Sequence, residues 1–136
     1  MQKENLYEDR EVFIAKEHIV IPDGKHEGAI TEIKLRKYPE ESYAYVDFYV
    51  TLSDIKEQPV IKFGVNANIS DMSKLGLMMV KAGYTFKAGD EISFGTIKDT
   101  FLLKRIEFKT INIQKLVKGQ KMEFANIVFE TIEFIE

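Results

Sequence analysis

Three successive runs between Ala29 and Ile69 alternate apolar and polar residues with a period of two, a pattern that suits β-strands because successive side chains on a strand point to opposite faces. In the first run Ala29, Thr31, Ile33 and Leu35 fall on one side, and Glu32, Lys34, Arg36 and Tyr38 on the other. The second sets Ala44, Val46, Phe48, Val50 and Leu52 against Tyr43, Tyr45, Asp47, Tyr49 and Thr51. The third sets Ile61, Phe63, Val65, Ala67 and Ile69 against Lys62, Gly64, Asn66 and Asn68. Paired as a meander, the runs give one apolar face, which is a core, and one that is basic, tyrosine-rich and amide-bearing.

Breaks between the runs have turn chemistry. Pro22, Asp23 and Gly24 precede the first strand, Pro39 to Ser42 separates it from the second, and Asp54 to Gln58 leads to Pro59 at a strand start, where a missing N–H is tolerated. At Ser70 the period changes. Ser70 or Asp71 can cap a helix over 71–82, Met72, Leu75, Met79 and Ala82 recur at helical spacing, and Gly83 suits its end. Met72, Met78 and Met79 are read as a face sealing the core rather than a partner groove. Glu91 to Ile97 then forms a short apolar run, Phe101 to Ile111 a strand, Gln114 to Lys121 a basic connection around Gly119, and Phe124 to Phe134 a last strand. Glu123, Glu130, Glu133 and Glu136 make this end acidic, and its alternation predicts a closing strand rather than a trailing peptide.

The predicted class is all-β with one short helix. Five strands with a helix between the third and fourth match the layout of the OB-fold, a partly open Greek-key barrel. One domain over 19–136 is expected, preceded by an arm over 1–18 that lacks periodicity. The stretch IPDGKHEGAITEIKLRKYPEESYAYVDFYV, the helix after it, the FLLKRIEFKTI strand and FANIVF together resemble small OB-fold single-stranded DNA-binding proteins of the bacteriophage and mobile-element type. That resemblance covers roughly residues 19–134 and is one of pattern, without a short defining motif. It implies a non-enzymatic protein of DNA replication or recombination.

Composition removes several other classes. The chain has no cysteine, which excludes disulfides, thiolate metal sites and a cysteine nucleophile. A cytoplasmic location is the default, since Met1 to Arg10 is too polar for a signal peptide and no apolar run reaches the roughly 18 residues of a membrane span. Phosphate-loop and hydrolase-elbow motifs are missing, and His18 and His26 flank a turn at odd spacing, better explained as exposed polar residues than as metal ligands. No cofactor, metal or catalytic set is expected.

The positive signal is aromatic. Four of six tyrosines, Tyr38, Tyr43, Tyr45 and Tyr49, lie within twelve residues and point away from the core face. Single-stranded bases stack on such rings while cations hold the phosphates, so Lys34, Arg36 and Lys62 join the candidate site with the amides of Asn66 and Asn68. Although the net charge is −3, Lys98 to Lys121 holds seven basic residues against two acidic ones. In an OB barrel the connection between strands four and five borders the ligand groove, which brings in Lys115, Lys118 and Lys121, with Arg105 and Lys109 grouped by alternation on the strand leading there. Single-stranded DNA is the expected ligand of a monomer or small homo-oligomer, with replication or recombination proteins as further partners. RNA or an oligosaccharide in the same groove, or a tyrosine face that is a protein interface, stay open as alternatives.

Overall fold

The computed structural model describes residues 19–38 and 43–135 together with Arg10, Val12 and Glu40. The arm read over 1–18, and His18 with it, otherwise lies outside the described residues. Five strands form one antiparallel sheet: β1 (Gly24–Lys37), β2 (Ala44–Leu52), β3 (Val60–Asn66), β4 (Arg105–Val117) and β5 (Gln120–Ile135), in the order β3-β2-β1-β4-β5. The ladders stop at β3 and β5, so the sheet is not closed. The five expected strands are present in a mostly β fold, while the expected partly open OB-type barrel is not shown, since no ladder joins β3 to β5.

Two helices, not one, fill the connection between β3 and β4: α1 (Lys74–Lys81) and α2 (Phe94–Phe101). Ser73, rather than Ser70 or Asp71, caps α1 by accepting from the Gly76 N–H at 3.0 Å. Ser70 instead builds the turn before it, its hydroxyl accepting from the Ser73 N–H at 3.0 Å. A Cβ at Gly76 would stand 1.8 Å from the Ser70 carbonyl oxygen, so glycine here lets the turn press against the helix. Starting the helix later moves its buried face to Leu75, Met78 and Met79, and leaves Met72 83% exposed, where the sequence pattern had it in the core. The run Glu91 to Ile97 and the start of the expected 101–111 strand become α2, capped by Ser93 accepting from the Thr96 N–H at 3.1 Å. Ile97 and Phe101, four apart on one helical face, are its buried residues.

The core lies between the inner face of the sheet and these helices. Phe48 stacks on Phe63 with centroids 5.1 Å apart and meets Phe101 edge-on at 5.2 Å; Phe101 in turn stacks on Phe134 at 5.9 Å. β2 keeps the predicted alternation, with Val46, Phe48, Val50 and Leu52 fully buried. β1 does not. A bulge between Ile30 and Glu32 advances the strand by one residue, so Ile30 and Ile33 are buried, whereas Thr31 faces out and shares a 2.8 Å hydrogen bond with Thr51. Leu35, paired with Val46, is partly exposed.

His26 is buried, contrary to its reading as an exposed turn residue. Its Nδ1 lies 2.8 Å from Asp54 Oδ2 and its Nε2 2.6 Å from the Pro22 carbonyl oxygen, tying the entry to β1 to the β2–β3 connection. Among the described residues no group of three His, Asp or Glu side chains is arranged to hold a metal.

Candidate functional site

Strand register converts the alternating outer residues into a three-by-three grid. Its rows across β1, β2 and β3 are Arg36–Tyr45–Asn66, Lys34–Asp47–Gly64 and Glu32–Tyr49–Lys62. Eight of the fourteen expected residues meet here: Lys34, Arg36, Tyr45, Tyr49, Lys62 and Asn66 within the grid, and Tyr38 and Tyr43 just beyond the first row, flanking the β1–β2 connection. Asn68 does not join them. β3 ends at Asn66, and Asn68 follows in the connection to α1, where it lines a cavity with Phe86 and Asp90.

At the open end of the grid three tyrosines make a cluster. The rings of Tyr43 and Tyr45 are 5.5 Å apart and perpendicular, Tyr38 and Tyr45 are 6.2 Å apart and nearly perpendicular, and Tyr38 and Tyr43 are 6.3 Å apart and tilted. These are the edge-to-face separations that ring quadrupoles favour. Tyr43 and Tyr38 remain 47% and 38% exposed, so the cluster offers ring surface to solvent. The guanidinium of Arg36 lies between two of them, 4.7 Å from the centre of Tyr45 and 5.4 Å from that of Tyr38.

Arg36 is not a free cation. Its Nε donates to Asp47 Oδ2 at 2.9 Å, its Nη2 to Asp47 Oδ1 at 3.1 Å, and its Nη1 to the Tyr38 hydroxyl. Hydrogen bonding to Asp47, and next to Tyr38, drives the guanidinium pKa still further above its already high ordinary value. A two-pronged bond of this kind fixes the guanidinium plane as well as its charge. Asp47 is only 3% exposed although it is on the outer face, because Arg36 covers it and Gly64 beside it has no side chain. A Cβ at Gly64 would come within 2.6 Å of Asp47 Oδ1. Asp47 and Gly64 were not expected as site residues; the signal available was a lone acid and a lone glycine at matching positions of two strands on a tyrosine-rich face.

Further along the grid Lys34 lies 3.1 Å from Glu32 and 5.2 Å from the Tyr49 ring centre. Its hydrogen bond to Glu32, helped by the charge of that residue, raises the ammonium pKa. Lys62, paired with Tyr49, has no ion pair among the described residues.

Of the remaining expected residues, Arg105 and Lys109 lie on the outer side of β4, opposite Ala29 and Lys25, as alternation groups them; Arg105 is 3.8 Å from Glu27. The basic connection is no loop. β4 and β5 continue as a two-stranded ribbon to a two-residue turn, Lys118 and Gly119, both at positive φ as a tight hairpin requires. Lys115 is on β4 with its ammonium 5.8 Å from the Phe124 ring centre, and Lys121 on β5 is paired with Leu116, so the two point to opposite sides of the ribbon. The β1–β4 register ends at Gly24 and Thr110, and the ribbon runs on past that end of β1, whereas the tyrosine cluster stands past the other. The third row of the grid is the part nearest the ribbon: Val60, Ile61 and Lys62 line one cavity together with Phe124 and Ala125.

Compared with known proteins, the chain matches no family model and no curated protein.

Proposed function

We propose that this protein binds single-stranded DNA with little sequence preference and without catalysing a reaction, on the outer face of β1, β2 and β3, in the service of DNA replication or recombination. The observation that carries this reading is the cluster of Tyr38, Tyr43 and Tyr45 with the Arg36 guanidinium set against two of its rings. Every base has a π-face, so exposed rings held in fixed positions bind bases without reading their edges. Among the described residues Lys62 beside Tyr49 has no ion pair, and Lys109 and Lys115, on the same side of β4, extend the basic path beyond the third row. A strand entering at the tyrosine cluster thus runs down β2 toward the ribbon.

The strand order, with β1 between β2 and β4, is the order an OB barrel has when its third and fifth strands close, and we class the fold there. A bacteriophage or mobile-element origin and a cytoplasmic location accompany this reading as part of the proposal. Among the described residues, no helix is long and apolar enough to cross a membrane.

Titration with oligo-dT against duplex of equal length tests the reading. The expected result is micromolar or tighter binding to the single strand, weakened by salt, and much weaker binding to the duplex. No binding to the single strand at low salt removes the proposal and puts a protein-interface role for the tyrosines in its place. Preference for an RNA oligomer over DNA would keep the face and change the ligand.

A further inference from the structure

Two exposed features outside the tyrosine grid complement one another. The first is the tip of the β4–β5 ribbon, where Leu116 is 72% exposed beside its cross-strand neighbour Lys121, with Lys118 in the turn. The second is a cavity of about 560 Å³ between α1 and the stretch 129–132 of β5, with apolar walls that include Leu77, Val80, Phe86 and Phe129. Its lining carries Asp71, Glu130 and Lys81. Lys81 is held by the Ile132 carbonyl oxygen at 2.8 Å and by Glu133 at 3.3 Å, and Lys74 stands over the Phe129 ring. Asp71 and Glu130 have no ion pair among the described residues. Lys118 and Lys121 likewise have none, so among the described residues the cavity is an apolar recess with two unpaired acids, and the ribbon tip an apolar side chain with two unpaired ammoniums.

The two cannot meet within one chain. Lys121 at the tip and Glu130 at the cavity are both on β5, and its regular run from Lys121 to Val128, rising about 3.3 Å per residue, already spans roughly 20 Å. We propose that the ribbon tip of one copy seats in the α1–β5 cavity of a second copy, Leu116 against Leu77 and Phe129, with Lys118 and Lys121 facing Asp71 and Glu130. Because the two patches differ, the contact is heterologous: each copy offers a free tip at one end and a free cavity at the other, and assembly continues unless it closes into a ring. One side chain and its flanks bury less surface than a standard interface, so the association is weak and salt-sensitive. It leaves the tyrosine face uncovered.

Sedimentation velocity of the protein alone, without nucleic acid, tests this independently of the ligand. The expected result is a weight-average mass that rises with concentration through the micromolar range and falls back toward the monomer in high salt. Leu116→Glu and Leu77→Lys each change an exposed position, so both variants fold with unaltered circular dichroism, and each stays monomeric alone. Mixed together they form a one-to-one complex, through the intact tip of the Leu77→Lys chain and the intact cavity of the Leu116→Glu chain. A wild-type protein that stays monomeric at the highest concentration overturns the proposal. So does a variant that associates like the wild type, or a mixture of two monomeric variants that stays monomeric.

Discussion

Gly64 is where the candidate site depends most on the absence of a side chain, since the buried carboxylate of Asp47 occupies the space a Cβ would take. Gly64→Ala should push that carboxylate aside, strain its two bonds to Arg36 and destabilise the fold by about 1–3 kcal/mol, the usual cost of overpacking. In an Asp47→Ala background the same change should cost little, and urea melts of the four proteins measure the difference as a coupling energy. On the functional reading, Tyr45→Ala should lose about 1–3 kcal/mol per engaged base and leave the salt dependence unchanged. Lys62→Ala should instead flatten the slope of log K against log[salt] by about 0.7, one phosphate contact to a single strand. Arg36→Ala should resemble the tyrosine change more than the lysine one, because its charge is already balanced by Asp47 and its role is to hold the rings. Titrations at four salt concentrations separate the three; equal slopes in wild type and Lys62→Ala would remove the phosphate role.

Among the elements, α1 shows how a cap decides which residues a helix buries. Leu75 and Met79 are fully buried, so Leu75→Ala should cost about 2–5 kcal/mol, whereas Met72→Ala, outside the helix and exposed, should stay within about 0.5 kcal/mol of wild type. Chemical melts of the pair check this, and similar losses in both would put the helix start back at residue 71. The bulge in β1 has a comparable influence on the sheet: it exchanges the inner and outer residues of the strand at one point, so that Ile30 joins the core while Lys34 and Arg36 still face out. Without that step a strict period of two would set Ile30 outward on the same side as Arg36.

Across the whole molecule the chain end helps to hold the fold. Ile132 is fully buried, Phe134 is paired with Ile106 and stacked on Phe101, and Lys81 reaches from α1 to the Ile132 carbonyl. As far as Ile135 the acidic end is thus the last strand of the sheet and not a trailing peptide, though it closes no barrel. Removing residues 132–136 should lower thermal stability sharply and broaden the unfolding transition, read by circular dichroism. A truncated protein that melts like the parent would assign the stretch to another role. What the amino-acid order determined without help was local: β-strands from period-two alternation, most clearly in β2, the outward set of tyrosines from the same alternation, and Gly83 past the end of α1. Those features depend on neighbours in the chain, which the sequence lists directly. Tertiary structure decided the rest. The bulge after Ile30, the second helix, the burial of His26 and the withdrawal of Arg36 from the pool of free cations each depend on a partner distant in sequence: Val50, Phe48, Asp54 and Asp47 respectively. The basic stretch 114–121 makes the same point, since only pairing with β5 turns an apparent loop into a ribbon that carries its lysines past the end of β1 opposite the tyrosine cluster. Alternation tells which side of a strand a residue faces, but how far along the sheet two residues stand is set by register, and register is fixed by contacts that no single run of sequence contains.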